Sequence, residues 1–416
     1  MQNKIQLINN SIFYLLLIYI FTINFEIKPI TDTLFCLMLI LSCINLYHKQ
    51  FNQNILPKWV IISISFFLIS SIFLIFFSSN MNEAFTDVRR TIKFIFPVFF
   101  ISLFINKRKK IIILFITLLI SLFLEISYAV LSNINNFYIV ITQNIYFRLQ
   151  GYLLEGYRNT FMLLSMKLEI FLITIYILFL DNRIKFNKQI LGFFLFCGLI
   201  ALFFNNTRMA WAIICVMFIF LTYCYIKNIK KFLVLCFIAL GIFFSITYTQ
   251  PWIQERINST IHLKDSSSQL HYMFVQDSLV MINEKPILGW GIGQFSKYYN
   301  KSFRSEKTNY LIEKYNEPVP IPHPHNNLIT ILVERGIIGA ISYILCYSCF
   351  LFFSFKDWYK YKSISGLIFF SISLSIILHG FSDYSLGFKA ITQYHYCLLG
   401  MYLVYRKYEI KDKGLK

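Results

Sequence analysis

The chain has 416 residues, of which 57% are hydrophobic and 14% are charged, and its mean hydropathy is +0.60. These values lie far outside the range of soluble globular domains and predict an integral membrane protein. The formal net charge is +19, and 18 of the 39 Lys and Arg residues lie in five short runs that border apolar segments. Membrane topology therefore explains the charge, which argues against nucleic-acid binding.

About twelve apolar segments approach the roughly 20 residues that a bilayer-spanning helix needs. They centre near residues 20, 38, 68, 98, 121, 169, 196, 217, 240, 345, 372 and 396. The first has no small-residue cleavage pattern of a signal peptide, so we expect it to be retained. The predicted fold is an all-α, polytopic membrane protein with about twelve transmembrane helices and one large periplasmic loop that contains helices.

Runs rich in Lys and Arg all fall on one side of these spans, at 106–110, 181–188, 227–231, 356–362 and 406–416. Because such residues are held on the cytoplasmic side, we expect both termini to be cytoplasmic. Three parts follow: residues 1–249 with the first nine spans and short loops, 250–326 as a periplasmic loop domain, and 327–416 with the last three spans and a cytoplasmic tail.

Basic residues at the opposite ends of the spans are exceptions to this charge rule: Arg89, Arg90, Arg158, Arg208 and Lys389. Each one alone could simply extend to lipid phosphates at the membrane surface. Together they would form a ring of cations suited to the phosphate or pyrophosphate of a lipid-linked substrate.

Within the loop domain, residues 269–286 have the apolar spacing of an amphipathic helix, and the glycines of 289–295 predict a turn. The sequence PHPHNN at 322–327 follows. Its prolines predict an extended strap, Asn326 is a good N-cap, and a helix should begin at Asn327. His325 then lies beside the free N–H groups of that helix.

Neither a metal nor another cofactor is expected from the sequence. All nine cysteines lie in or at the ends of apolar spans and none lies in the long outer loop, so no disulfide framework or CxxC metal site is indicated. His323 and His325 supply only two potential ligands, and no acidic cluster accompanies them in the sequence.

Four motifs occur in order along the second half of the chain. His325 and Asn326 are followed after nine residues by Gly336-Ile-Ile-Gly339, and the other motifs are NNTRMAW at 205–211, KPILGWGIGQF at 285–295 and HGFSDY at 379–384. On these motifs the chain resembles the O-antigen ligase family over about residues 200–400. The two glycines of the first motif are predicted to share a helix face and to permit close packing.

This resemblance implies a glycosyltransferase of the bacterial inner membrane whose active site faces the periplasm, among membrane lipids. It would transfer O-antigen polysaccharide from undecaprenyl pyrophosphate to the outer-core sugar of lipid A-core, by inversion and without a metal. His325 would be the general base, because a helix N-terminus favours its neutral form. The alternative is a loop histidine that caps backbone groups.

The resemblance also implies substrate-binding roles. Arg208 would hold the pyrophosphate. The residues themselves offer further contacts: His323 and Asn326 could contact substrate, although helix capping explains Asn326 equally well, and Asp383 could hold an arginine or histidine in place or be purely structural. An arginine that the family carries in the outer loop is replaced here by Gln269 and His271.

Several residues could supply the charge of that missing arginine, and the sequence does not choose among them. They are His271, Arg256, Arg158 and Arg89.

Two other functions remain open from sequence. An O-antigen polymerase uses the same donor but extends another lipid-linked chain. A polysaccharide flippase or other transporter should show charged residues within the spans and internal repeats, and no repeat is found.

Overall fold

The computed structural model describes residues 2–25, 27–47, 56–133, 161–226, 228–249 and 266–412, together with Gln254 and Asn258. Every regular element in these residues is helical. The prediction of an all-α polytopic membrane protein is confirmed.

The first half of the chain contains ten helices in its described residues. They are α1 Gln2–Ile23, α2 Lys28–Tyr47, α3 Lys58–Ile75, α4 Met81–Ile95, α5 Pro97–Phe104, α6 Arg108–Ser132, α7 Phe161–Leu180, α8 Lys188–Asn205, α9 Arg208–Tyr225 and α10 Ile229–Thr249. The second half contributes α11 Ser266–Glu284, α12 Phe295–Tyr298, a π-helical turn Tyr299–Phe303, α13 Glu306–Tyr315, α14 Asn327–Tyr361, α15 Ile364–His379, a 3₁₀ turn Ser385–Gly387 and α16 Lys389–Lys411.

All twelve predicted span centres fall within helices, and eight helices in the described part are long and apolar enough to cross a membrane. The span expected near residue 98 differs most from the prediction. Pro97 begins a new helix, α5, of only eight residues. The preceding α4 is amphipathic, with Ala84 and Val88 buried and Arg89 and Arg90 exposed. Proline has no N–H to continue the hydrogen bonding of α4, so α4 ends at Ile95 and Pro97 takes the first position of α5.

Helix α7 lies at the centre of the bundle, against α6, α8, α9 and α15. Most of its residues are buried, as expected of a helix that is apolar all round. Its Lys167 is fully buried, and the Nζ atom lies 2.7 Å from Glu125 Oε2 on α6 and 2.9 Å from the carbonyl oxygen of Asn24. Pairing of this kind lets two ionised groups stay inside the bundle.

Four of the predicted basic runs meet at one end of the bundle, which we call the basic end. Arg108 Nη1 donates to Asp412 Oδ2 at 2.8 Å, and Arg183 Nη1 donates to the carbonyl oxygen of Lys362 at 2.8 Å. Glu409 accepts a hydrogen bond from the Ile364 N–H at 2.8 Å and so joins the two groups.

The described residues of the predicted loop domain share a small core with α14, and the helix predicted at 269–286 is confirmed as α11. Phe274, Phe295, Tyr299 and Leu311 are among the buried side chains of this core. Asp277 accepts hydrogen bonds inside it, including one from Tyr299 Oη at 3.0 Å. The described residues 266–326 therefore pack as helices and turns against α14.

Helix α14 is kinked at Gly336, where φ is 58° and ψ is −163°. The predicted glycine turn packs into this kink: the Trp290 N–H donates to the Val333 carbonyl at 2.8 Å, and the Ile337 N–H donates to the Pro286 carbonyl at 2.8 Å. A Cβ atom on Gly336 would lie 2.2 Å from the Ile287 carbonyl oxygen. Gly336 thus permits close packing, as predicted. It does so from a non-helical backbone conformation, so the prediction that Gly336 and Gly339 share one helix face is wrong.

Candidate active site

His325 lies at the junction between the extended strap and α14. Asn326 is the N-cap, as predicted, and its Oδ1 accepts a hydrogen bond from the Ile329 N–H at 3.0 Å. The backbone of His325 has a φ of 53°, an uncommon value for a residue other than glycine. This conformation turns the imidazole away from the helix axis and toward the loop before α16.

Asp383, in the loop between α15 and α16, is the hydrogen-bond partner of this imidazole. Its Oδ1 lies 3.0 Å from His325 Nδ1, and the side chain is 3% exposed. Burial raises the pKa of Asp383, but the hydrogen bond from His325 and the charges of His325 and His323 outweigh it, so the net pKa is lowered. Asp383 is therefore ionised and accepts a hydrogen bond from the Nδ1–H of His325.

The second ring nitrogen of His325 is left for chemistry. With Nδ1 donating to Asp383, the neutral ring carries its lone pair on Nε2. No hydrogen bond to Nε2 is found among the described residues, and the His325 side chain is 27% exposed. The arrangement can take a proton from a group that enters from the solvent side.

Two further histidines flank the ring. His271 of α11 stacks on His325 with ring centroids 4.2 Å apart and planes 13° apart, while the His323 ring lies edge-on at 4.5 Å. Burial, and then the charge of His325, lowers the pKa of both His271 and His323 to about 4. Both rings are therefore neutral near pH 7, so they shape the site without adding charge.

Arg208 begins α9 near this cluster. Its charge is one of the influences that lower the pKa of His271, so the guanidinium lies within electrostatic reach of the stacked rings. The preceding turn is fixed by Asn206, with a φ of 55°, and by a hydrogen bond of 2.7 Å from Thr207 Oγ1 to Asn205 Oδ1. The motif at 205–211 thus carries an arginine whose charge acts on His271.

The structure does not gather every predicted site residue. Arg89 lies on the exposed face of α4 and lines a different cavity. The Asn326 side chain caps α14, and its Nδ2 donates to the Phe381 carbonyl at 3.1 Å. Arg158 and Arg256 lie outside the described residues.

The comparisons with known proteins agree with the motifs. Residues 193–344 match the family model described as O-Antigen ligase. A "Putative polysaccharide ligase" of Rickettsia felis is 40% identical over 93 residues, which is 22% of each chain. A protein of the same description from Rickettsia conorii is 38% identical over 117 residues, or 28% of this chain and 25% of the relative.

The resemblance to the O-antigen ligase family is confirmed. The chain spans about a quarter of the length of the curated relatives it matches. The matched residues 193–344 contain Arg208, His271, His323 and His325, whereas Asp383 lies beyond them. The ligase-family segment therefore supplies the histidine cluster, and the later helices supply its carboxylate.

A metal ion is a chemical alternative for this cluster. One ligand atom each from His323, His325 and Asp383 lies within 4.8 Å of the others. Two histidines and a carboxylate are a common ligand set for zinc. The sequence offered only the two histidines, and the fold adds the acidic ligand from 58 residues away. The expectation that the reaction needs no metal stays a prediction, and activity in the presence of a chelator tests it.

A buried polar pair beneath the site was not singled out from the sequence. His379 Nδ1 lies 2.7 Å from Glu169 Oε1, and both side chains are almost fully buried. The Asp383 N–H donates to the His379 carbonyl at 3.1 Å, so this pair supports the loop that carries Asp383. The available signal was an ionisable residue in the middle of an apolar span, which generally marks a paired or functional group.

Proposed function

We propose that this protein is an O-antigen ligase. It is a membrane glycosyltransferase that moves O-antigen polysaccharide from undecaprenyl pyrophosphate to the outer-core sugar of lipid A-core, at the periplasmic face of the bacterial inner membrane. The observation that carries the proposal is the contact of 3.0 Å between His325, the histidine of the family motif, and the carboxylate of Asp383.

The reaction is a single displacement with inversion. The acceptor hydroxyl oxygen forms a bond to the anomeric carbon of the donor sugar, and the bond from that carbon to the pyrophosphate oxygen breaks. His325 Nε2 takes the hydroxyl proton, and Asp383 stabilises the resulting imidazolium. Undecaprenyl pyrophosphate leaves with the bonding electrons, and its negative charge is held by Arg208.

Arg208, His271 and His323 have distinct roles in this scheme. Arginine offers a planar fork that matches two phosphate oxygens, which a lysine does not. The neutral rings of His271 and His323 place apolar and hydrogen-bonding surface against the sugar units without competing for the pyrophosphate.

The test is polysaccharide transfer by the purified protein, from undecaprenyl pyrophosphate to lipid A-core. His325→Ala should reduce the rate about 10²–10⁴-fold, since that is the usual contribution of general-base help. Lys307→Ala, an exposed substitution in the same loop domain, is the matched control and should transfer normally. Near-normal transfer by His325→Ala would remove this histidine from the mechanism.

Two further arms separate the alternatives. Transfer that stops in chelator and returns with added zinc would replace the base mechanism with a metal-assisted one, using His323, His325 and Asp383. Elongation of undecaprenyl-pyrophosphate-linked chains, with no transfer to lipid A-core, would identify an O-antigen polymerase instead.

A further inference from the structure

A second cationic site lies at the same end of the bundle as the histidine cluster. It is a cavity of about 490 Å³ between α1, α2, α4 and the start of α16. Four cations line it, Arg89, Arg90 and Lys93 from α4 and Lys389 from α16, against one carboxylate, Asp32 of α2. The volume is within the range of about 300–1,000 Å³ that is usual for small-ligand sites.

The amphipathic pattern of α4 explains why the cations face this cavity. Ala84 and Val88 are buried against Ile292 of the glycine turn, which leaves the other side of the helix for Arg89 and Lys93. These two residues are four positions apart and therefore adjacent on the helix surface.

Part of this charge is already neutralised. Lys93 Nζ donates to Asp32, and Arg90 Nη1 donates to Asp87 Oδ1 at 2.8 Å. By contrast, the side chains of Arg89 and Lys389 form no hydrogen bond or ion pair with any other residue that the structure describes. The cavity thus keeps two uncompensated cations, which is the arrangement expected for binding an anion with more than one charge.

The rest of the wall is apolar and belongs to membrane-spanning helices. Ile23 comes from α1, Phe35 and Leu39 from α2, and Phe96 from the α4–α5 junction. Both α1 and α2 are candidate membrane spans. Cations at the end of apolar spans suit a lipid, whose phosphate meets the cations while its chains lie along the helices.

This cavity is separate from the cluster around His325 but adjoins it. The cluster and Arg208 contribute nothing to its lining, and Lys389 follows Asp383 by six residues. Between them lies Tyr384, whose ring lies 5.4 Å from that of His323, so the loop of the histidine cluster leads directly to the cavity.

We propose that this cavity binds the phosphorylated head of the acceptor glycolipid, lipid A. The assignment to the acceptor rests on the proposed function, in which two phosphorylated lipids must meet at His325. Arg208 serves the donor pyrophosphate from the α9 side, and Arg89 and Lys389 serve the acceptor from the α4 side. Lipid A combines phosphate groups on a disaccharide with several acyl chains, which matches a cavity with both cations and apolar walls.

Lipid binding by the purified full-length protein tests the proposal without any transfer reaction. The probes are bisphosphorylated lipid A, undecaprenyl pyrophosphate, phosphatidylglycerol and inorganic phosphate, and dissociation constants are read by native mass spectrometry or thermophoresis. The double variant Arg89→Gln/Lys389→Gln removes the two unpaired cations, both exposed, so folding should be unaffected. Lys301→Gln/Lys307→Gln removes two exposed charges elsewhere and is the matched control.

The double variant should raise the dissociation constant of lipid A about tenfold or more and leave that of undecaprenyl pyrophosphate within about twofold. Arg208→Ala should show the opposite pattern. Unchanged lipid A binding would overturn the proposal. Displacement of lipid A by equimolar phosphatidylglycerol or inorganic phosphate would also overturn it, because it would show a general anion site. Weakened undecaprenyl pyrophosphate binding would overturn it too, by assigning the cavity to the donor.

The two proposals fail in distinguishable ways. If His325→Ala transfers normally, the proposed mechanism falls, whereas lipid A binding that depends on Arg89 and Lys389 would still support the cavity assignment. Within an active ligase, the double variant should raise KM for the acceptor and leave KM for the donor and kcat at saturation unchanged.

Discussion

The two ends of the helical bundle carry their charges in different ways. At the basic end three arginines are paired with carboxylates, among them Arg108 with Asp412 at 2.8 Å and Arg183 with Asp181 at 2.6 Å. Arg406 likewise donates to Asp357. These charges contact carboxylates of the same chain and are satisfied within it.

At the opposite end, which we call the histidine end, two cations and one ring nitrogen have no partner among the described residues. Arg89 and Lys389 have no ion-pair partner within the described ranges, and His325 presents Nε2 from a half-buried ring. The comparison teaches that the positive charge occurs in two arrangements, as closed pairs within the chain and as groups without an ion-pair partner among the described residues. Four predictions test this division, from the largest expected effect to the smallest.

Asp383→Asn should have the largest effect among them. An amide accepts the Nδ1–H of His325 less well than a carboxylate and cannot stabilise the imidazolium, so kcat for polysaccharide transfer should fall about 10²-fold or more. The protein should still insert and accumulate, with a modest loss of stability because the ionised Asp383 is favoured in the fold. A variant with unchanged kcat would reduce Asp383 to a structural residue.

Gly336→Ala should disturb the packing of the glycine turn against the kink of α14. The new Cβ would meet the Ile287 carbonyl oxygen at 2.2 Å in a backbone with φ of 58°. We expect a loss of about 1–3 kcal/mol in the free energy of unfolding, from strain and displacement of the turn. Thermal unfolding in detergent measures it.

Gly192→Ala on α8 is the control for this substitution. Its Cβ would meet only Phe179 Cε2 at 3.9 Å, and the position is helical. Stability should be equal or higher by up to about 1 kcal/mol. Equal effects of the two substitutions would contradict the strained role of Gly336.

Acidification should lower the stability of the histidine end before that of the basic end. The pKa of His271 and of His323 is lowered to about 4 from an ordinary 6.5, so the unfolded chain binds more protons between these values. Stability is therefore full above pH 6.5 and is lost as the pH falls toward 4. Asp383, whose pKa is also lowered, adds a further loss at still lower pH.

Unfolding followed by Trp290 fluorescence between pH 7 and 4.5 measures this effect. The double variant His271→Gln/His323→Gln should have a smaller pH dependence than the parent protein. The same dependence in both proteins would rule out these two rings as its source.

Asp412→Asn should have the smallest effect. The Arg108 and Asp412 side chains are 45% and 56% exposed, and exposed ion pairs contribute under about 1 kcal/mol. We expect nearly unchanged unfolding and transfer within about twofold of the parent. A large loss of transfer here would contradict the division of roles between the two ends.

The local features of this protein could be predicted from its sequence. Apolar runs identified the spans because each helix must satisfy its backbone hydrogen bonds within the membrane. Asn326 identified the start of α14, since capping depends on residues within one turn, and the spacing of basic runs predicted that they share one end. The family motif named His325 as the candidate base from its neighbours in the chain alone.

Only the tertiary structure decided which distant residues meet. Asp383 contacts His325, which lies 58 residues earlier in the chain. The His271 ring stacks on the His325 ring, with the ring centroids 4.2 Å apart. Arg89 lines the cavity with Lys389 and does not join Arg208, although the sequence grouped all three as outer cations. The kink at Gly336 likewise depends on the turn that packs into it. Hydropathy and capping act within a few residues, whereas such contacts depend on how whole helices pack, which no local pattern encodes.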